Sequence, residues 1–299
     1  MSRPRILVAG VAVMDFVFHL DAMPDRAEKY RARDGTISGG GNEANAAVAV
    51  ARLGGEVHLA TRLGDDAVAD LIVAGLEGEG VGTSLARRFA GRRSSFSSIF
   101  IDAAGERQIV NFRDTALEPR AGWLQAALPT RFDAALADTR WPEGALAMML
   151  AARAAGRPGV IDAEAPVREA EEALGQASHV AFSAQGLCDW AGHNDLERAL
   201  AEADRALPGM VLVTDGPYGT FWRENDALRH LPAREVAPVD TLGAGDVWHG
   251  AFTLALARND ALDDAVALAN AAATLKCTRK GGRDGAPRLD ELHAWMERS

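Results

Sequence analysis

Short runs of contiguous apolar residues alternate along this chain with longer stretches of helical periodicity. The first run, RILVAGV at 5–11, is β-branched and unbroken, which suits a central parallel strand buried on both faces. EANAAVAVARLG at 43–54 is alanine-rich and ends on glycine, the pattern of a helix with a glycine stop. A strand at 57–64 and a helix at 66–79 follow. Strands are then predicted at 132–138, 159–164, 179–184 and 210–216, separated by helices at 143–155, 167–175 and 194–206. Such alternation predicts an α/β fold, a parallel sheet with helices on both faces.

Two regions break the pattern. Residues 12–37 and 95–113 read as extended, partly polar strands, and AAGE at 103–106 is a turn between two β-rich runs. An antiparallel appendage of this kind predicts a lid over the C-terminal edge of the sheet. No repeat, low-complexity tract or linker divides the chain, so 1–299 is expected to be one domain with a discontinuous lid.

Composition narrows the function. Hydrophobic residues make up 48% of the 299, enough for a full core, and the net charge of -10 argues against general binding to nucleic acid or anionic membrane. The N-terminal apolar run is too short for a membrane span. Cys188 and Cys277 match no metal or disulfide pattern, which fits a reducing cytoplasm. The only lysines are Lys29, Lys276 and Lys280.

The strongest chemical signal is DTLGAGDVWHGA at 240–251. Gly243, Ala244 and Gly245 let the backbone approach a ligand closely, and the apolar helix that follows aims its first N–H groups and its dipole at one point. Phosphoryl transfer needs fixed donors of this kind. Asp246, at the helix start, is placed to take a proton from a substrate hydroxyl. An isolated GAGD would read as a tight turn with Asp246 as a helix cap.

DTLGAGD resembles the C-terminal signature of ribokinase-like (PfkB-type) sugar kinases. Gly39, Gly40 and Gly41, then Asn45 and AAVAVARLGG, resemble the N-terminal one. The resemblance covers essentially the whole chain. It implies a ribokinase-like, mostly parallel central sheet with a small antiparallel β lid, and ATP-dependent kinase activity with Mg2+. It also implies Asp246 as catalytic base, with Asp15, Gly40, Gly41 and Asn45 gripping sugar hydroxyls. Thr214, Gly216, Gly219, Gly243 and Gly245 would frame the nucleotide, with Asn270 near the adenine. One departure is the Asn-x-x-Glu segment of many members, replaced here by Ser183-Ala184-Gln185-Gly186, so no direct metal ligand is assigned.

Four further segments, KYRAR at 29–33, GERQIVNF at 105–112, ADTRW at 137–141 and LKCTRKGGRDGAP at 275–287, are similar to those of the sulfofructose kinases within the family. That resemblance implies phosphorylation of 6-deoxy-6-sulfofructose at O1, with the sulfonate held by Lys29, Asn111 and Arg140. An ammonium, an amide and a guanidinium suit a permanent anion, and Arg113 is an alternative partner. A neutral ketose, a phosphosugar such as fructose-6-phosphate or tagatose-6-phosphate, or a keto-deoxy sugar acid stays open. A nucleoside is disfavoured by a lid with few aromatics beyond Phe16, Phe18, Tyr30 and Phe96. A catalytically idle sugar sensor is the non-enzyme alternative, against which the intact GAGD counts. His249 reads as a packed helix histidine. Exposed lid edges predict a homodimer paired through the lid.

Overall fold

The computed structural model describes residues 3–298. In chain order it begins with strands β1 (Arg5–Ala9), β2 (Val13–His19) and β3 (Asp34–Gly40), helix α1 (Asn42–Arg52), β4 (Glu56–Gly64), α2 (Ala67–Gly78) and β5 (Ala86–Phe89). β6 (Phe96–Ile101), β7 (Arg107–Phe112) and α3 (Gly122–Ala127) follow. The regular alternation runs β8 (Ala134–Asp138), α4 (Pro142–Ala154), β9 (Gly159–Ala163), α5 (Glu171–Leu174), β10 (His179–Ser183), α6 (Ala184–Ala191), α7 (Leu196–Ala206) and β11 (Met210–Thr214). A hairpin, β12 (Thr220–Glu224) and β13 (Ala227–Leu231), precedes α8 (Ala244–Ala257), α9 (Leu262–Cys277) and α10 (Leu289–Met296).

Nine strands form one sheet in the order β13-β12-β11-β10-β9-β8-β1-β4-β5. From β11 to β5 every pairing is parallel, while β12 and β13 add an antiparallel edge. Two-sided burial explains the unbroken apolar runs. Ile6 and Val8 of β1 enter one core with α1, α2, α8 and α9, and Leu7 and Ala9 enter the other with α4 and α7. Strand β1 pairs with β4 on one side and β8 on the other, so the order of strands reverses there. A crevice outside the C-terminal ends of the strands at such a switch point is where open α/β sheets take ligands.

The lid is a separate four-stranded sheet, β3-β2-β6-β7. Its outer ladders are antiparallel and its central pair, β2 with β6, is parallel, because the intervening α1 to β5 segment returns the chain in the same direction. The turn expected at AAGE joins β6 to β7.

Helices α1 and α8 carry the two signatures, and they touch at backbone distance. A Cβ on Gly250 would stand 2.5 Å from the carbonyl oxygen of Ala46. Alanine and glycine on the facing surfaces permit this approach, and it brings the N-terminus of α1 beside that of α8. Among the described residues no helix is long and apolar enough to cross a membrane.

Candidate active site

Helix α8 starts on Gly243, whose φ of 76° is left-handed, a conformation glycine adopts without steric cost. No side chain caps the helix, so its first-turn amides face the crevice. The amide of Ala244, expected among the phosphate donors, instead donates to the carbonyl of Thr241 at 3.2 Å and closes the turn. The loop before the helix is clamped. Asp240 accepts from the amides of Leu242 (3.0 Å) and Gly281 (3.1 Å), and its carbonyl accepts from the fully buried ammonium of Lys276 at 2.7 Å.

Asp246 projects from the first turn of α8 and accepts a hydrogen bond from Asn45 Nδ2 at 2.7 Å. Burial, reinforced by the nearby charge of Asp162, pushes its carboxyl up to about 7. Asn45 Oδ1 in turn accepts from Arg283 Nε at 3.1 Å, and Arg283 Nη2 donates to the carbonyl of Gly40 at 3.2 Å. A continuous line therefore runs from Asp246 to the glycine turn. Arg52 holds the far side of this line by donating to the carbonyls of Arg283, Asp284 and Ala286.

The three glycines of the turn make room for specific atoms. A Cβ on Gly39 would collide with the Arg283 guanidinium, and one on Gly40 with the Asp15 carboxylate. Gly41 has φ 96° and lies against the Val11 carbonyl. Asp15 sits on β2 in register with Ser38 of β3 and Ser97 of β6, and Ser97 is in register with Asn111 of β7. The four side chains share one face of the lid. Burial raises the Asp15 carboxyl, opposed by a hydrogen bond from Ser97 and the charge of Arg283.

Arg140, after β8, donates to Glu164 at 3.3 Å. Asp138 fixes its loop by accepting from the amides of Val11, Arg140 and Trp141. Asn111 donates to Ser97 Oγ at 3.1 Å. Lys29 is exposed on the loop between β2 and β3 and does not line the cavity that Arg140 lines.

On the nucleotide side, Thr214 Oγ1 donates to the Phe182 carbonyl at 3.3 Å, and Gly216 and Gly219 have φ 49° and 91°. Asn270, expected near the adenine, is buried and hydrogen-bonded within the fold. Its Oδ1 accepts from Thr220 and Trp248, both at 2.8 Å, and its Nδ2 donates to the Leu231 carbonyl at 3.0 Å. The buried amide is occupied in tying the β12–β13 hairpin to α8 and α9. His249 is 2% exposed, with its ring nitrogens against the carbonyls of Gly245 (2.8 Å) and Ala181 (3.2 Å), a packed residue as its sequence position predicts.

A buried acidic layer lies under the site. Glu43, Asp138 and Asp162 are nearly inaccessible, and the Glu43 oxygens meet no hydrogen-bond partner. Burial and the charges of Asp138, Asp162 and Asp246 raise the Glu43 carboxyl well above its ordinary value. Among the described residues no three His, Cys, Asp or Glu side chains are arranged to hold a metal. Ser183, where many members carry the asparagine of Asn-x-x-Glu, accepts from the Gly186 amide and caps α6.

Sequence reading missed the working positions of Lys276, Arg283, Asp138, Asp162 and Glu164. For Lys276 a signal was present: one of three lysines stands within the last turn of an apolar helix.

Residues 3–289 match the pfkB family carbohydrate kinase profile. The ribokinase of Bacillus subtilis (strain 168) is 28% identical over 291 residues, covering 96% of this chain and 98% of that protein. A candidate ribokinase of Agrobacterium tumefaciens superposes with a TM-score of 0.87 at 36% identity, each chain covered completely. Arabidopsis thaliana ribokinase complexed with ribose and ATP shares the fold, with a TM-score of 0.88 at 22% identity over the whole of both chains. The chain belongs to the pfkB family of carbohydrate kinases.

Proposed function

We propose that this kinase transfers the γ-phosphate of ATP to O1 of an anionic ketose, 6-deoxy-6-sulfofructose. The observation that carries the reading is the row Ser38–Asp15–Ser97–Asn111 across one lid face. It sets the amide that would read a sulfonate two strands from the carboxylate that would hold the sugar hydroxyls. Arg140 adds a guanidinium from the sheet edge, and Lys29 adds an ammonium when its loop folds over the sugar.

In the proposed reaction Asp15 and the Gly40–Gly41 turn grip the hydroxyls, and Asn45 holds Asp246 toward O1. Asp246 takes the O1 proton, and the first-turn amides of α8 stabilise charge on the transferring phosphoryl group. Mg2+ enters with the nucleotide, where it neutralises phosphate charge. Thr214, Gly216 and Gly219 frame the nucleotide. The lid carries Ile37 and Val110, 61% and 60% exposed, in one register row at its two edges, which supports pairing of lids in a homodimer.

The test is ADP release with Mg-ATP against sulfofructose, fructose, fructose-6-phosphate and tagatose-6-phosphate, compared as kcat/KM. The reading requires sulfofructose to lead. A lead for a phosphosugar would transfer the same cations to a phosphate and make the enzyme a phosphoketose kinase.

A further inference from the structure

A cavity of about 480 Å³ opens at the C-terminal ends of β1, β4 and β8. Its walls include Val11 and Ala12, Arg62 of β4, Ser95, Arg113 beyond β7 and Arg140 beyond β8. Val11 and Ala12 lead directly into the strand that carries Asp15, and Ser95 into the strand that carries Ser97. The cavity therefore continues the hydroxyl-binding surface across the ends of β4, β1 and β8.

Three guanidinium groups face this space, and carbonyl oxygens take most of their bonds. Arg62 donates to the Glu118 carbonyl at 3.2 Å and lies 4.8 Å over the Trp141 ring. Arg113 donates to the Arg140 carbonyl at 2.8 Å. Only Arg140 has a carboxylate bond, to Glu164. The cavity's own carboxylates are turned to backbone. Asp114 accepts from the amides of Arg93 and Ala116, Glu143 accepts from that of Ala121, and Glu169 is exposed. A carbonyl satisfies an N–H group but does not balance a charge. Burial and the like charge of Arg113 lower the Arg62 guanidinium to about 10, against the opposing charges of Asp138, Glu143 and Glu118, so it stays protonated and an anion in the cavity would add to that opposition.

We infer that this cavity is the tail pocket of the sugar site, and that Arg62 and Arg113, together with Arg140, grip the trigonal XO3 end of the substrate. The inference rests on the anionic-ketose reading and deepens it by naming Arg62 as a specificity-determining residue. Trp141 holds the Arg62 plane, with its own Nε1 donating to the Pro119 carbonyl at 2.7 Å and its amide to Asp138. A guanidinium fork can bind two oxygens of one anion.

The experiment compares wild type with Arg62→Met, which keeps the stem on Trp141 and removes the charge, and with Arg62→Lys. The readout is the ratio of kcat/KM for sulfofructose, and separately for fructose-6-phosphate, to that for fructose. In Arg62→Met the ratio for the preferred anion falls by about 10- to 100-fold, the worth of one charge-assisted pair. The loss appears in KM rather than kcat. Arg62→Lys lowers the ratio by less, because an ammonium lacks the fork, and it carries the test if Arg62→Met does not fold. Which anion leads in wild type identifies the tail as sulfonate or phosphate. A wild-type ratio in the folded variant, or an equal loss for anionic and neutral sugars, overturns the assignment of Arg62 alone. No preference for either anion over fructose in wild type overturns the anionic-ketose reading and the tail pocket with it.

Discussion

Asn45 donates its amide nitrogen to the carboxylate of Asp246 at 2.7 Å, across 201 positions of sequence. Because Arg283 occupies the amide oxygen, Asn45 has one orientation and presents a donor to Asp246. The bond favours the ionised carboxylate, whereas burial and Asp162 favour the protonated one. The balance sets the carboxyl at about 7, which suits the general-base role proposed for Asp246.

Asp246→Asn removes the proton acceptor and keeps the shape. We expect kcat to fall by about 100- to 10,000-fold, with ATP affinity by calorimetry close to wild type. Turnover near the wild-type rate would show that another group takes the proton.

The pH dependence follows from the same carboxyl. In the free enzyme Asp246 is protonated below about 7, so kcat/KM should rise with pH and level off above neutrality. The folded carboxyl lies above its unfolded value, so its contribution to stability is fully present below the unfolded pKa. That contribution is lost as pH rises through about 7. Asp246→Asn should therefore melt above wild type at pH 8, by a margin that shrinks toward pH 5. A flat kcat/KM profile between pH 5.5 and 8.5 would refute the buried base.

How much was legible in the sequence follows burial. Ile6, Leu7 and Val8 must be apolar on both faces, so β1 and its parallel neighbours could be read directly. The β12–β13 hairpin was missed, because ALRHL is mostly exposed and carries no clear alternation. The signatures pointed to Asp246, Asn45 and the glycines, which the fold brings together although they lie near opposite ends of the chain. Asn270 was ambiguous because a buried amide looks the same in sequence whether it meets a ligand or the carbonyl of Leu231. Arg283 and Lys276 were obscured because composition treats charge as surface, whereas both are buried against carbonyl oxygens.

Lys276→Met should loosen the loop before α8. Its ammonium is buried, and its bond to the Asp240 carbonyl has no substitute in a thioether. We expect kcat/KM for ATP to fall by about tenfold or more, as for loss of a charge-assisted hydrogen bond, accompanied by a lower Tm. Unchanged ATP kinetics would reduce Lys276 to a packing residue.

The proposed lid pairing is tested by Ile37→Asp combined with Val110→Asp. Both positions are exposed edge hydrophobics, so the substitutions should leave the fold intact. Light scattering should report a dimer for wild type and a monomer for the double variant. A wild-type monomer would rule out the pairing.

Gly39 and Arg283 form one structural unit. A side chain at 39 would enter the space of the guanidinium, and loss of the guanidinium would release both Asn45 and the Gly40 carbonyl. Variation at one position is therefore constrained by the other, although they lie near opposite ends of the chain. Any effort to re-aim this enzyme at a new sugar by rebuilding strand β3 has to treat the C-terminal loop as part of the same edit.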